Sequence, residues 1–220
     1  MYLSGAKNKI MADDLAEGRI GLLQTPNTAY NLDGVAVWAM DNGCYTSTYP
    51  GDEKYLALLE RLADHRDRCL FVAAPDVVGD KDATLDLFPT MAARIKGRGW
   101  PVALVAQDGL TPDEVPWFDI DWLFIGGSDT FKLGPDAETL IAVARERGVH
   151  VHVGRVNSAT RFRHFRALGC DTADGTFVAY APDVNVPKVR RWINDHTYLL
   201  LWDAVYQRDE WAALEGRVDE

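Results

Sequence analysis

The chain has 220 residues, 47% hydrophobic and 25% charged, ordinary proportions for a globular domain with one sizeable core. No apolar run approaches the ~18 to 20 residues that span a bilayer, and the opening "MYLSGAKNKI" lacks the apolar core of a signal peptide, so no membrane partner is expected and the expected location is the cytoplasm. A net charge of −10 argues against broad non-specific nucleic-acid binding, and the scattered Cys44, Cys69 and Cys170 argue against a disulfide framework or a cysteine-based zinc site.

In chain order, eight short apolar runs end in polar or glycine turns: "MYLSGA", "RIGLLQT", "GVAVWAMDNG", "CLFVAAPDVVGD", "PVALVAQDG", "DWLFIGG", "VHVHVGRVN" and "CDTADGTF". Several are nearly continuous in apolar residues, the pattern of parallel strands covered on both faces. Helical stretches lie between them. "DEKYLALLERLADHRD" places Tyr55, Leu58, Leu59 and Leu62 on one face. "DATLDLFPTMAARIKGRG" and "PDAETLIAVARERG" each close on a glycine suited to a helix end. "NSATRFRHFRALG" starts at Ser158, a good N-cap. The tail from about residue 187 reads as terminal helices packed on the rest, with Trp202 and Trp211 as core or dimer surface.

Strands alternating with helices predict an α/β fold with a parallel sheet. Eight of them predict one compact (β/α)8 TIM-type barrel over residues 1–220, with some helices shortened, as between "AQDG" and "DWLFIGG". A doubly wound open sheet is the alternative, but no G-x-G-x-x-G follows the first strand.

In such barrels chemistry collects at the C-terminal strand ends. Those ends here carry Asp41, Asp76, Gln107, Gly126 and Gly127, then Gly154, Arg155 and Asn157, and finally Asp174. A single aspartate there can be an N-cap or turn former, Gln107 can satisfy a loop, and a Gly-Gly pair can be a plain turn. Three carboxylates and a carboxamide at one face would crowd charge without a purpose. One carboxylate can attack an anomeric carbon and another can protonate the leaving group. A third carboxylate, a carboxamide and a Gly-Gly amide match the edge of a purine, since the acid accepts from N1–H and the exocyclic amine and the donors face O6.

The ordered motifs D-N-G, P-D, A-Q-D-G, I-G-G and G-C-D-x-x-D-G, over roughly residues 35–178, resemble the tRNA-guanine transglycosylases (queuine tRNA-ribosyltransferases). The chain looks closest to their small phage and bacterial relatives that exchange guanine for a 7-deazaguanine, such as 7-cyano-7-deazaguanine, in DNA. The resemblance implies that Asp174 is the nucleophile and Asp41 the general acid/base. It implies that Asp76 reads the amine edge of the base and that Gln107 and Gly127, with Gly126 alongside, hold O6. Asp171 takes a supporting role. The arginines after Gly154, namely Arg155, Arg161, Arg163 and Arg166, would hold the nucleic-acid backbone. No metal and no nucleotide cofactor is implied, and the location would be the host cytoplasm for a phage-encoded chain. The tRNA enzymes carry three cysteines and a histidine for zinc after the barrel, whereas no cysteine follows Cys170 here. That departure favours DNA over tRNA as the partner. The continuation "SDTFK" also replaces the family's Leu-Ala-Val-Gly-Glu. A helper protein or a homodimer is compatible with this reading.

Three rivals remain. One is the same exchange on tRNA, and another is a non-catalytic nucleic-acid or base-binding subunit. The third is a metal-dependent barrel hydrolase, in which the alternating His150 and His152 of "VHVHVG" would share a metal.

Overall fold

The structure, a computed structural model, describes residues 1–28 and 30–195. Eight parallel strands close into a barrel in sequence order: β1 (Tyr2–Ser4), β2 (Ile20–Gln24), β3 (Trp38–Met40), β4 (Cys69–Ala73), β5 (Val102–Ala106), β6 (Trp122–Ile125), β7 (His150–Val153) and β8 (Thr172–Gly175). Closure is made by β8 pairing with β1, where Asp174 stands opposite Leu3. The expected (β/α)8 barrel is therefore the fold.

The nearly continuous apolar runs have a direct cause. Alternate residues of each strand point to opposite faces, and both faces are covered. Leu3, Leu23, Phe71, Val105, Trp122 and Phe124 fill the barrel interior, while Tyr2, Leu22, Trp38, Val72, Leu104 and Ile125 pack outward against helices. Every residue of β2 and of β5 is buried.

The helices are α1 (Ala12–Ala16), α2 (Asp52–Arg61), α3 (Lys81–Lys96), α4 (Asp129–Lys132), α5 (Pro135–Glu146), α6 (Ala159–Ala167) and α7 (Pro182–Asn194). Between β5 and β6 only a 3-10 turn, Pro112–Glu114, stands where a helix would, as the sequence suggests. Among the described residues, the connection from β2 to β3 contains no helix. Ser158 caps α6 as expected, its side chain accepting from the Arg161 amide. Gly169 beyond that helix has φ +87°, and a Cβ there would lie 2.3 Å from the Arg145 side chain. The left-handed backbone favours glycine here, whereas the Arg145 side chain can swing aside.

Two boundaries differ from the sequence expectation. The stretch predicted helical through Asp67 stops at Arg61 and tightens into a 3-10 turn, Ala63–Arg68. The turn places the His65 carbonyl where it accepts from Trp38 Nε1 at 2.8 Å. The terminal helix begins at Pro182 rather than near 187. It is fastened by Arg190, whose guanidinium donates at 2.6 and 2.9 Å to Asp14, a fully buried carboxylate on α1. The rest of the expected terminal helices, Trp202 and Trp211 included, lies outside the described residues. No helix among the described residues is long and apolar enough to cross a membrane.

Candidate active site at the barrel mouth

The C-terminal strand ends open into a cavity of about 470 Å³. Asp41, Asp76, Gln107, Gly126, Gly127, Gly154, Arg155, Asn157 and Asp174 all line it, so nine of the expected residues meet at one place. Leu23, Val105 and Phe124 give the cavity apolar walls.

Asp76 is the best-held polar group. Gln107 Nε2 donates to its Oδ2 at 2.7 Å, and Asn42 Nδ2 donates to its Oδ1 at 2.7 Å. Gln107 Oε1 accepts from the Gly79 amide at 2.9 Å, which fixes which end of the carboxamide faces Asp76. Asn42 is itself buried, with further bonds to the Ala74 carbonyl and from the Cys44 amide. Burial raises the Asp76 pKa above the usual carboxylate range, although the Asn42 bond pulls the other way.

Asp41 lies deeper in charge terms. Burial, then the negative charges of Asp174 and Asp76, push its pKa up to about 7, against the opposing amides of Asn42 and Gly43. A carboxyl that exchanges its proton near neutral pH suits a group that must first give and later take one.

Asp174, on β8, is 17% exposed. Its Oδ1 accepts from the Arg155 amide at 3.3 Å and lies 3.1 Å from His152 Nε2. Arg155 reaches this position with φ +62°, a left-handed backbone that costs a non-glycine residue on the order of 1–3 kcal/mol. That conformation aims the amide at Asp174 and sends the side chain across the mouth. There the guanidinium donates to Tyr45 Oη at 2.7 Å and to the Gly127 carbonyl, 4.4 Å from the Tyr45 ring centre.

The glycines are matters of space. A Cβ on Gly154 would come within 2.8 Å of the Phe124 ring, and one on Gly126 within 2.8 Å of Val105. The Gly126 amide donates to the Ala106 carbonyl in the strand ladder. Asn157 accepts from the Phe177 amide at 3.0 Å, holding the loop after β8 against the loop after β7.

The remaining arginines are not gathered at the mouth. Arg161 pairs at 2.9 Å with Asp129, which also pairs with the buried Lys132. Lys132 in turn donates to the Gly154 carbonyl at 3.0 Å and so supports the site from behind. Arg163 pairs with Asp195, and Arg166 donates to carbonyls at the end of α7. Arg166 lines a separate cavity with Met1 and Asp171, at the opposite end of the barrel. The Arg163 and Arg166 side chains both reach the C-terminal end of α7, beside the Phe162–Trp192 contact that packs the two helices. Asp171 sits at that opposite end too, accepting from the Val151 amide at 2.8 Å and joining β7 to β8.

His150 and His152 do not share a partner. His150 stacks on Trp122 and pairs with Asp171, whereas His152 faces Asp174. Among the described residues, no group of three or more histidine, cysteine, aspartate or glutamate side chains is arranged to hold a metal. Sequence reasoning missed Asn42, Tyr45, Lys132 and the partner of His152. Asn42 and Tyr45 had a signal in standing inside and beside the "DNG" motif, but Lys132 looked like an ordinary helix residue.

No family model and no curated protein matches the chain. Solved structures similar to it include the BexX/CysO complex of Amycolatopsis orientalis, 16% identical with a TM-score of 0.58, over 92% of this chain and 91% of that one. The 3-hexulose-6-phosphate synthase from Salmonella typhimurium is 14% identical with a TM-score of 0.55, over 91% and 98%. The YdjI aldolase from Escherichia coli K12 is 14% identical with a TM-score of 0.53, over 90% and 87%. At such identities the likeness shows the barrel fold alone.

Proposed function

We propose that this chain is a glycosyltransferase that exchanges guanine in a nucleic acid, DNA in preference to tRNA, for a 7-deazaguanine. One observation carries the reading. Asp41, with a pKa near 7, and Asp174 share a single cavity with the hydrogen-bonded Asp76–Gln107 pair.

In this reading the target guanosine leaves its stack and enters the mouth, because its C1′ is hard to reach inside a duplex. The Asp76 carboxylate accepts from the N1–H and amine of the base. Asp174 Oδ2 forms a bond to C1′ as the C1′–N9 bond breaks, and its electron pair leaves on the base. The protonated Asp41 gives that base a proton. A 7-deazaguanine then takes the vacated place and yields its N9 proton to the Asp41 carboxylate. Its N9 attacks C1′, the C1′–Oδ2 bond breaks, and the pair returns to Asp174. Every proton and electron pair is thereby restored. In this reading Arg155, which reaches across the mouth to Tyr45, meets a backbone phosphate.

Labelled guanine incubated with double-stranded DNA, single-stranded DNA and bulk tRNA in separate tubes tests this. Label entering DNA, and lost in Asp174→Ala, is the expected result. Label entering tRNA alone would move the substrate and keep the chemistry. No label in any tube, with purified and folded protein, would favour a binding subunit instead.

A further inference from the structure

We propose that His152 is the positioning residue for Asp174, holding one carboxylate oxygen through a directed N–H and leaving the other to react. The kinetic consequence rests on the transglycosylase reading above, whereas the pairing itself rests on geometry.

His152 is a fully buried polar side chain within an apolar barrel filling. Its ring lies 4.4 Å from Phe124, edge to face, and 4.9 Å from Phe71. Nothing about packing requires an imidazole there; a leucine or phenylalanine would serve an interior of this kind. Both ring nitrogens are nevertheless engaged. Nε2 stands 3.1 Å from Asp174 Oδ1 and Nδ1 stands 2.7 Å from Thr172 Oγ1. An ionised carboxylate only accepts, so the proton facing Asp174 sits on Nε2. In the neutral ring Nδ1 then accepts from the Thr172 hydroxyl, which selects one tautomer.

The register explains how these groups meet. His152 pairs with Thr172 across β7 and β8, so the next inward positions are Gly154 and Asp174. Gly154 leaves room for the Phe124 ring, which a Cβ would meet at 2.8 Å, and a Cβ there would also touch Asp174 Oδ1 at 3.4 Å. Among the described residues, both hydrogen bonds to the Asp174 side chain end on Oδ1, one from His152 and one from the Arg155 amide. Oδ2 is left for C1′. When Oδ2 bonds C1′, Oδ1 becomes the ester carbonyl oxygen and keeps both donors. When that bond breaks, the same donors receive the returning charge. His152 transfers no proton in either step. Its work is angular: a carboxylate anchored at one oxygen presents the other along one line of attack.

Two variants test this. His152→Leu fills the barrel without a donor, and His152→Gln carries an amide nitrogen near the place of Nε2. Rates of labelled-guanine entry into DNA, as a function of guanine and DNA concentration, are measured for each with a thermal melt as the folding control. His152→Leu is expected to lower kcat about 100-fold, with both KM values within about threefold of the parent. His152→Gln is expected to recover at least about tenfold of that loss. Parental kcat in the leucine variant, or a glutamine variant no faster than it, overturns the proposal. The second measurement needs no turnover: nitrogen NMR of the imidazole, assigned by its disappearance in His152→Gln. A proton on Nε2, with a resonance that moves in Asp174→Asn, is expected. A proton on Nδ1 with a bare Nε2, or indifference to Asp174→Asn, overturns the pairing. If the parent exchanges no guanine into any nucleic acid, the transglycosylase reading fails, and the NMR measurement still decides the pair.

Discussion

Gln107 Nε2 stands 2.7 Å from Asp76 Oδ2 and ties the end of β5 to the loop after β4. The Gly79 amide prevents the carboxamide from turning over. Gln107→Glu keeps the shape but replaces the donor with a second acid, and two such acids cannot both ionise cheaply. Guanine affinity is expected to fall about tenfold or more, the worth of one hydrogen bond to a charged group. Calorimetric titration with guanine measures it, and equal affinities in parent and variant would remove this pair from base recognition.

Asp41 gives a pH test. In the proposed reaction its first role needs the protonated form, so formation of a covalent Asp174 adduct should decline as pH rises through about 7. Adduct trapped on denaturing gels across pH 5–9 reads this limb. In Asp41→Asn the adduct forms slowly and without that limb.

The same group predicts a stability effect. Asp41 is raised to about 7 from an ordinary 3.8, so between those values the folded protein holds a proton the unfolded chain has lost. Stability therefore falls as pH rises across that window. Asp41→Asn should be more stable than the parent at pH 8 by on the order of 2–4 kcal/mol, and not at pH 4. Urea unfolding at the two pH values measures the difference.

Gly154→Ala tests the crowding where β7 meets β8. The added methyl would meet Phe124 at 2.8 Å and reach Asp174 Oδ1 at 3.4 Å. Overpacking of this kind costs about 1–3 kcal/mol. Under the proposed reaction, guanine exchange should drop more steeply than stability, because the added methyl also touches the Asp174 carboxylate. A variant with parental melting and parental turnover would show the site to be looser than this.

At the other end of the chain, Arg190 and Arg19 hold the buried Asp14. Burial alone would raise the Asp14 pKa, but the bonds from the two arginines outweigh it and hold it below the usual range. A depressed carboxylate stabilises the fold above its unfolded pKa, and that contribution is lost as pH falls through the folded value. Arg190→Met should cost about 1–3 kcal/mol at pH 7, with a deficit that shrinks on acidification. Chemical denaturation at pH 7 and near pH 3 compares the two.

Much of this was legible from residue order. Apolar runs with polar ends announced parallel strands covered on two faces, and their alternation with amphipathic stretches announced the barrel. The expected acids, Gln107 and the Gly-Gly pair stand at or just past strand ends, and in a closed barrel all such ends face one mouth. The arginines of α6 were legible as a basic cluster but not as to direction. Arg163 and Arg166 face α7, and only the packing of two helices decides that. Helix α2 ended early for a similar reason, since the bond from Trp38 to the His65 carbonyl comes from a strand distant in sequence.

Taken by itself, the sequence determined the (β/α)8 architecture and the set of acids at its mouth, because strand period and strand-end position are local properties. The tertiary structure decided that His152 faces Asp174, that Asn42 and Gln107 share Asp76, and that Lys132 stands behind Gly154. Those pairings depend on register between strands and on which inward layer a side chain occupies. Register is set by barrel closure, a property of all eight strands together that no single stretch of sequence carries.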